Sequence, residues 1–311
     1  MAKKTSSRFL DGIKELRTNK ILYIMMIPAI CWIILFSYVP LYGILLAFKD
    51  FDFRAGIWGS PWVGFENFRF LFNHHGIGRV FFNTIYLNIL FIAFGTFFSV
   101  SLALVFMEIK SRNYKKLVQT IAIFPNFVSW TIVAMFLGGL IGGSGIITRF
   151  IINLGAEAPN FYSNPQHWPT IFVFLRVWQG AGFGTIVYVA VITGFDQEMY
   201  EAAKIDGATK FQQMTRITLP MLKVTVIMLT LLAIGRIFTG DFGMIYAIVG
   251  DNPALFPTTD VIDTFVYRSL RRLNNVGMSV ATGLFQSVVG FILVILANKL
   301  TKLAEPDAAI F

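Results

Sequence analysis

The sequence predicts an all-α membrane protein of six spanning helices, on three observations: its composition, the length of its apolar runs, and the placement of its basic residues. Of 311 residues, 56% are hydrophobic, 14% are charged and 33 are Phe. With a mean hydropathy of +0.66, this balance lies outside that of soluble globular chains. A helix crosses the hydrocarbon core in about 20 mostly apolar residues. Runs of about that length extend over Ile21–Phe48, Val80–Met107, Leu117–Ile141, Pro169–Phe195, from Pro220 to Gly240, and over Val280–Ala297. They are continuous, without the alternating polarity of an outer-membrane barrel strand.

Orientation follows from Lys and Arg, which are retained on the cytoplasmic side of short connections. One side holds 16 of them: Lys3, Lys4, Arg8, Lys14, Arg17, Lys20, Lys110, Arg112, Lys115, Lys116, Lys204, Lys210, Arg216, Lys223, Lys299 and Lys302. The other holds eight: Lys49, Arg54, Arg69, Arg79, Arg149, Arg268, Arg271 and Arg272. Both termini are therefore expected in the cytoplasm. The net charge of +9 is largely this topological bias, so it signals no nucleic-acid partner.

The first span follows a basic stretch, residues 1–20, but is too long for a signal peptide and lacks a small-residue cleavage pattern, so it is expected to remain as an anchor. Pro28 and Pro40 interrupt its backbone donors. Cys31 is the single cysteine, which leaves no intrachain disulfide or cysteine metal site. His74, His75 and His167 show no metal-ligand spacing. Gly180, Gly182 and Gly184 allow close helix approach in the fourth span. The outer connections at 49–79, 142–168 and 241–279 are candidate contact surfaces. In the last, Ile262, Phe265, Val266, Leu270 and Leu273 fall near helical spacing and predict a short amphipathic helix over the bundle. No linker or repeat divides residues 21–311, which read as one six-helix domain.

Catalytic motifs are missing. No Gly-Lys pair exists from which a phosphate loop might be built, and GGLIGGSG at 138–145 lacks the lysine and follows no strand. Neither HExxH nor GxSxG is present, and no pair of catalytic carboxylates lies within a span. An enzyme is disfavoured, leaving transport, signalling or scaffolding, with energy from an ion gradient or another subunit.

Between the fourth and fifth spans lies a polar stretch, residues 196–220, containing EAAKIDGATKFQQMTRITLP. EMYEAAK favours helix, and Gly207 suits a left-handed cap. Thr209 with Gln212 fits a capping box opening a second helix, which Pro220 is expected to close. Phe211, Met214 and Thr218 then share one side. So short a hairpin is not stable on its own backbone bonds and needs something to dock on.

Glu201, Ala202, Ala203, Gly207, Ile217, Leu219 and Pro220 match the EAA-x3-G-x9-I-x-LP signature, and the chain resembles the permeases of binding-protein-dependent ABC importers. FSYVPLYGILLAFKDF, GSPWVGFENFRFLF and NPALFPTTDVIDTFVYR extend the likeness over nearly the whole chain, toward the complex-oligosaccharide branch that includes rhamnogalacturonan permeases. The resemblance implies a type I importer transmembrane domain in the bacterial cell membrane, with both termini inside. It implies a second permease subunit, two ATP-binding subunits carrying ATP and Mg, a periplasmic or extracellular sugar-binding protein, and no cofactor on this chain. Residues 196–220 would be the coupling hairpin, with Glu201 paired to a basic residue of the ATPase, Gly207 shaping the turn, and Lys204, Asp206, Lys210 and Phe211 in contact.

Ionisable groups within spans usually face a protein interior or a wet path. Arg176 and Arg236 lead this group, with Asp241 expected beside Arg236. Asn88, Asn126, Trp130, Trp178, Gln179 and Gln286 add hydrogen bonds and flat faces suited to sugars. Two arginines suit a uronate-containing glycan; alginate and neutral glycans stay open. The alternative, an ion-coupled secondary transporter, calls for inverted repeats and mid-membrane acids that are not evident. A receptor or scaffold leaves the EAA pattern unexplained.

Overall fold

A computed structural model describes residues 18–73, 76–158, 160–305 and 308–309. The basic residues before Thr18 and the His74–His75 pair lie outside it. Among the described residues six helices are long and apolar enough to cross a membrane: Lys20–Phe48, Ile77–Glu108, Trp130–Asn153, Pro165–Thr193, Lys210–Ile234 and Val276–Leu303. The only extended pairing among them is one isolated bridge, Lys49 with Trp62.

The first pass starts as α1 (Lys20–Ile33), widens into a π turn at Ile34–Tyr38, and tightens into a 3-10 helix at Val39–Phe48. The wide turn precedes Pro40, whose ring would otherwise press on the carbonyl four residues back. No residue of α1 is buried. Only near its far end, at Leu46 and Ala47, does this pass enter the core. There Asn67, on α2 (Glu66–Asn73), donates its amide to the carbonyls of Ala47 and Lys49, both at 3.0 Å. Buried Lys49 donates Nζ to Ile57 O at 2.7 Å. Backbone left open by the helix end is thereby satisfied from side chains.

The centre is a parallel pair, α3 (Ile77–Glu108) and α7 (Trp168–Thr193), with Leu87 and Phe91 beside Trp168 and Phe172 at one end and Ala103 beside Ile192 at the other. Small residues bring them together: a Cβ on Gly184 would strike Ser99 Oγ, and Ser99 donates to Ala181 O at 3.2 Å.

Two passes are broken partway. The third was expected as one helix over Leu117–Ile141, but α4 (Arg112–Ile123) ends in a 3-10 turn at Phe124–Phe127, and α5 restarts at Trp130–Ile141. Pro125 supplies no N–H to continue the helix, and Ser129 caps the restart by accepting from Ile132 N. By length and composition alone the third candidate span is Trp130–Asn153, which joins α5 to α6 (Ile146–Asn153) across a glycine-rich turn. Packing instead lays α4, the turn and α5 along α7: Ala122 lies on Gly182, Val128 O accepts from Gln179, and Val133 and Ile141 pack with Trp168 and Phe172.

The fifth pass, α9 (Lys210–Ile234), runs unbroken from the hairpin into the membrane span. The expected stop at Pro220 does not occur. A π turn at Met214–Thr218 places Pro220 in the first turn of the following α-helical stretch, where a missing N–H costs little. The helix ends where Gly235 meets α12 (Val276–Ala304): a Cβ on Gly290 would strike Gly235 O, and one on Gly235 would lie 2.6 Å from Val294. Residues 235–241 are non-helical, and α10 (Phe242–Val249) then packs on α5.

The expected amphipathic helix is α11 (Ile262–Leu273), with Ile262 and Phe265 buried and Val266 packed beside them, over Ile77, Val80 and Met278. A larger core gathers Trp168, Phe172, Met244 and Leu255 at the same end. A third, with Ala103, Ile192 and Leu222, lies toward the hairpin.

Candidate functional site

The hairpin at 196–220 is built from local chemistry. Asp196 caps α8 (Gln197–Ile205), accepting from Glu198 N at 2.9 Å. At the other end Ala208 N donates to Ala203 O at 2.8 Å and Gly207 N to Lys204 O at 3.1 Å. With Gly207 at φ +79°, this is the Schellman arrangement. Thr209 and Gln212 form the expected capping box.

Two contacts close the hairpin on itself and a third ties it to the bundle. Tyr200 OH and Thr218 Oγ1 lie 2.9 Å apart, Gln213 Nε2 donates to Ala208 O at 3.2 Å, and Lys210 pairs with Glu108 at the end of α3 at 3.0 Å. Lys210, expected at a partner surface, is thus engaged within the chain. Met214 and Thr218 face the bundle, whereas Phe211, expected on their side, is 69% exposed. Ile205 is 88% exposed, and Glu201, Ala202, Lys204 and Asp206 are exposed beside it, with Ala203 half-buried.

The polar residues within the spans gather on the two breaks. Asn88 donates its amide to Ile237 O and Thr239 O, both at 3.1 Å. Gln286 donates to Phe238 O at 2.7 Å and Asp263 Oδ2 at 3.1 Å. Gln179 donates to Val128 O at 2.9 Å. Asp241 caps α10 through Met244 N at 3.0 Å, and pairs with Arg176 at 3.2 Å rather than with Arg236. At about 1.5 Å per residue, Asn88 and Gln286 each lie roughly 15 Å from the far ends of α3 and α12. Non-helical backbone at that depth must be satisfied by protein.

The breaks thus explain several polar residues as ties. Arg236, Asn126 and Trp178 remain exposed, and Trp130 is half-buried with its ring close to Gly243. Glu108 and Asp263 were not anticipated. Asp263 accepts from Gly240 N and Gln286; burial pushes its carboxyl above the usual range, and the nearby Asp241 charge adds to the rise. Lying outside the spans and far from its partners in sequence, it left no local signal.

Residues 95–304 match the model of the family described as binding-protein-dependent transport system inner membrane component. The chain is 36% identical over 289 residues to the polygalacturonan/rhamnogalacturonan transport system permease protein YteP of Bacillus subtilis, covering 93% of this chain and 89% of that one. It is 35% identical over 299 residues to protein LplB of the same organism, covering 96% and 93%. A crystal structure of a bacterial ABC transporter that imports the acidic polysaccharide alginate superposes with a TM-score of 0.83 at 33% identity, covering 94% of this chain and 98% of that one.

Proposed function

This chain belongs to the family of binding-protein-dependent transport system inner membrane components, and from that premise we propose that it is the permease subunit of an ATP-driven importer of uronate-containing oligosaccharides. It is a multi-pass membrane protein. Two relatives support the substrate class, a permease named for polygalacturonan and rhamnogalacturonan and an importer of alginate, all polymers bearing uronic acids. Arg176 and the exposed Arg236, beside the breaks, offer guanidinium groups suited to such carboxylates.

The observation that carries the reading is the hairpin. It is capped at both ends by its own residues, yet leaves Ile205 and Phe211 uncovered, a shape formed to be received by another protein. The occupant in this proposal is a separate ATP-binding subunit, one of two, holding ATP and Mg. Glu201 would meet a basic residue on it, with Ala202, Ala203, Lys204 and Asp206 alongside. A second permease subunit and an extracellular or periplasmic sugar-binding protein complete the assembly, with the hairpin end in the cytoplasm. An ion-coupled carrier gains no support from Asp241, whose carboxylate is taken by Arg176 and the cap of α10.

Purification of the full chain from cells expressing the partner subunits tests this. An ATP-binding subunit should copurify, and Glu201→Ala or Gly207→Val should reduce its capture and sugar uptake at least about tenfold while the chain still folds, since both lie outside the cores; valine is strained at positive φ. Full capture and full uptake in both variants would overturn the coupling role.

A further inference from the structure

At the end of the bundle away from the hairpin, α10 and α11 enclose a groove of 180 Å³ lined by Tyr246, Asp251, Tyr267, Arg268 and Arg271. We infer that this groove is an outer subsite for a uronate residue of the incoming oligosaccharide, with Arg271 binding the carboxylate and the Tyr246 and Tyr267 rings flanking the sugar. The inference deepens the proposed function and rests on it.

The side chains sort into two groups. Arg268 is compensated, paired with Asp251 at 3.5 Å and with Asp260, and its guanidinium lies 4.1 Å over the Phe256 ring. Arg271, one turn further along α11, is exposed and makes no ion pair with any described residue. Its Nη1 donates to Tyr246 OH at 3.3 Å, and its guanidinium stands 5.9 Å from the Tyr267 ring. One arginine therefore builds the wall, and the other presents a cation to the opening.

The aromatic part is ordered by its own packing. Phe242 and Tyr246, one turn apart on α10, stack at 5.1 Å with 13° between planes, and Tyr267 lies 4.9 Å from each ring. Flat apolar rings beside phenol hydroxyls match a sugar, which has apolar C–H faces and a polar rim. A guanidinium at the edge adds the planar fork that a carboxylate fits. An anionic phosphate headgroup would use the arginine and leave the rings without a role.

Position connects the groove to the interior. Asp241, paired with Arg176, caps the same helix whose next turns carry Phe242 and Tyr246. The strip thus leads from the groove down α10, about 12 Å long, to the break at 235–241. A carboxylate arriving from that end meets Arg271 first and Arg176 second.

The test is saturation-transfer NMR titration of the full chain in phosphatidylcholine nanodiscs, using trigalacturonate and its neutral trimethyl ester, beside uptake of trigalacturonate by cells. The wild type should hold the acid about tenfold more tightly than the ester, and Arg271→Gln should remove most of that preference. Tyr267→Ala should weaken acid and ester alike. If cells import trigalacturonate and Arg271→Gln keeps the full preference, the subsite falls while the proposed function stands. If the wild type neither binds nor imports trigalacturonate, the uronate reading falls and takes the subsite with it.

Discussion

The hairpin at 196–220 and the two membrane breaks at 124–129 and 235–241 solve the same problem by opposite means. Each is a place where helix stops and backbone groups need partners. The hairpin draws most of its partners from within its own stretch: Asp196 for Glu198 N, Thr209 for Gln212 N, Ala203 O for Ala208 N. Beyond their local caps, Ser129 and Asp241, the breaks draw partners from distant helices, Asn88 reaching Ile237 O and Gln286 reaching Phe238 O. Water serves the exposed hairpin where protein does not, whereas at membrane depth every such group must be met by the fold. A change in the hairpin should therefore cost interaction with a partner, and a change at the breaks should cost the fold itself.

Gly182→Leu should produce the largest effect and sharpen that contrast. A Cβ there would fall on the Ala122 carbonyl, so α4 has to leave α7, and no folded chain should be recovered by size-exclusion chromatography after detergent extraction. Normal recovery would show that the break at 124–129 is not set by this contact.

Asp263 comes next. Asp263→Ala strips Gly240 N–H and Gln286 of an acceptor and should lower stability by about 2–3 kcal/mol. Asp263→Asn retains an acceptor oxygen and should cost under about 1 kcal/mol at pH 7. Because the folded carboxyl titrates above its ordinary 3.8, the folded state binds more proton between the unfolded and folded pKa values. Stability contributed by this group therefore falls as pH rises through that window. The asparagine variant should lose that fall, read as unfolding temperature from pH 4 to pH 7; an unchanged slope would assign it elsewhere.

Lys210→Met should produce the smallest effect. Its pair with Glu108 is more than a third exposed on both sides, which limits it to about 0.5 kcal/mol, screened further by salt. A loss above about 2 kcal/mol would place the hairpin on the same footing as the breaks.

The contrast also explains what could be read from the sequence. Gly207, the Thr209–Gln212 box and the apolar spacing of Ile262 and Phe265 are local patterns, and each appears as expected. Pro220 misled because a proline at the start of a helical stretch and one at its end look alike until the π turn before it is seen. The third pass reads as one apolar run although Phe124–Phe127 interrupts it, since apolar residues line a break as readily as a helix. The pairing of Asp241 with Arg176 instead of the neighbouring Arg236 was hidden for a different reason. Residues 176 and 241 meet through the packing of α7 against the restart at α10, a relation with no trace in sequence distance.

Because α9 passes through Pro220 without stopping, the hairpin and the membrane span are one rod of about 37 Å. One end adjoins the Gly207 turn, and the other rests where the Gly235 and Gly290 backbones touch. A rod with a joint at one end and a pivot at the other is a lever. Tilting it by roughly 10° about Gly235 carries Lys210 through roughly 6 Å, while residues at the pivot scarcely move. A sub-ångström displacement beside the break thus corresponds to a side-chain-sized displacement at the hairpin, and the same ratio holds in reverse.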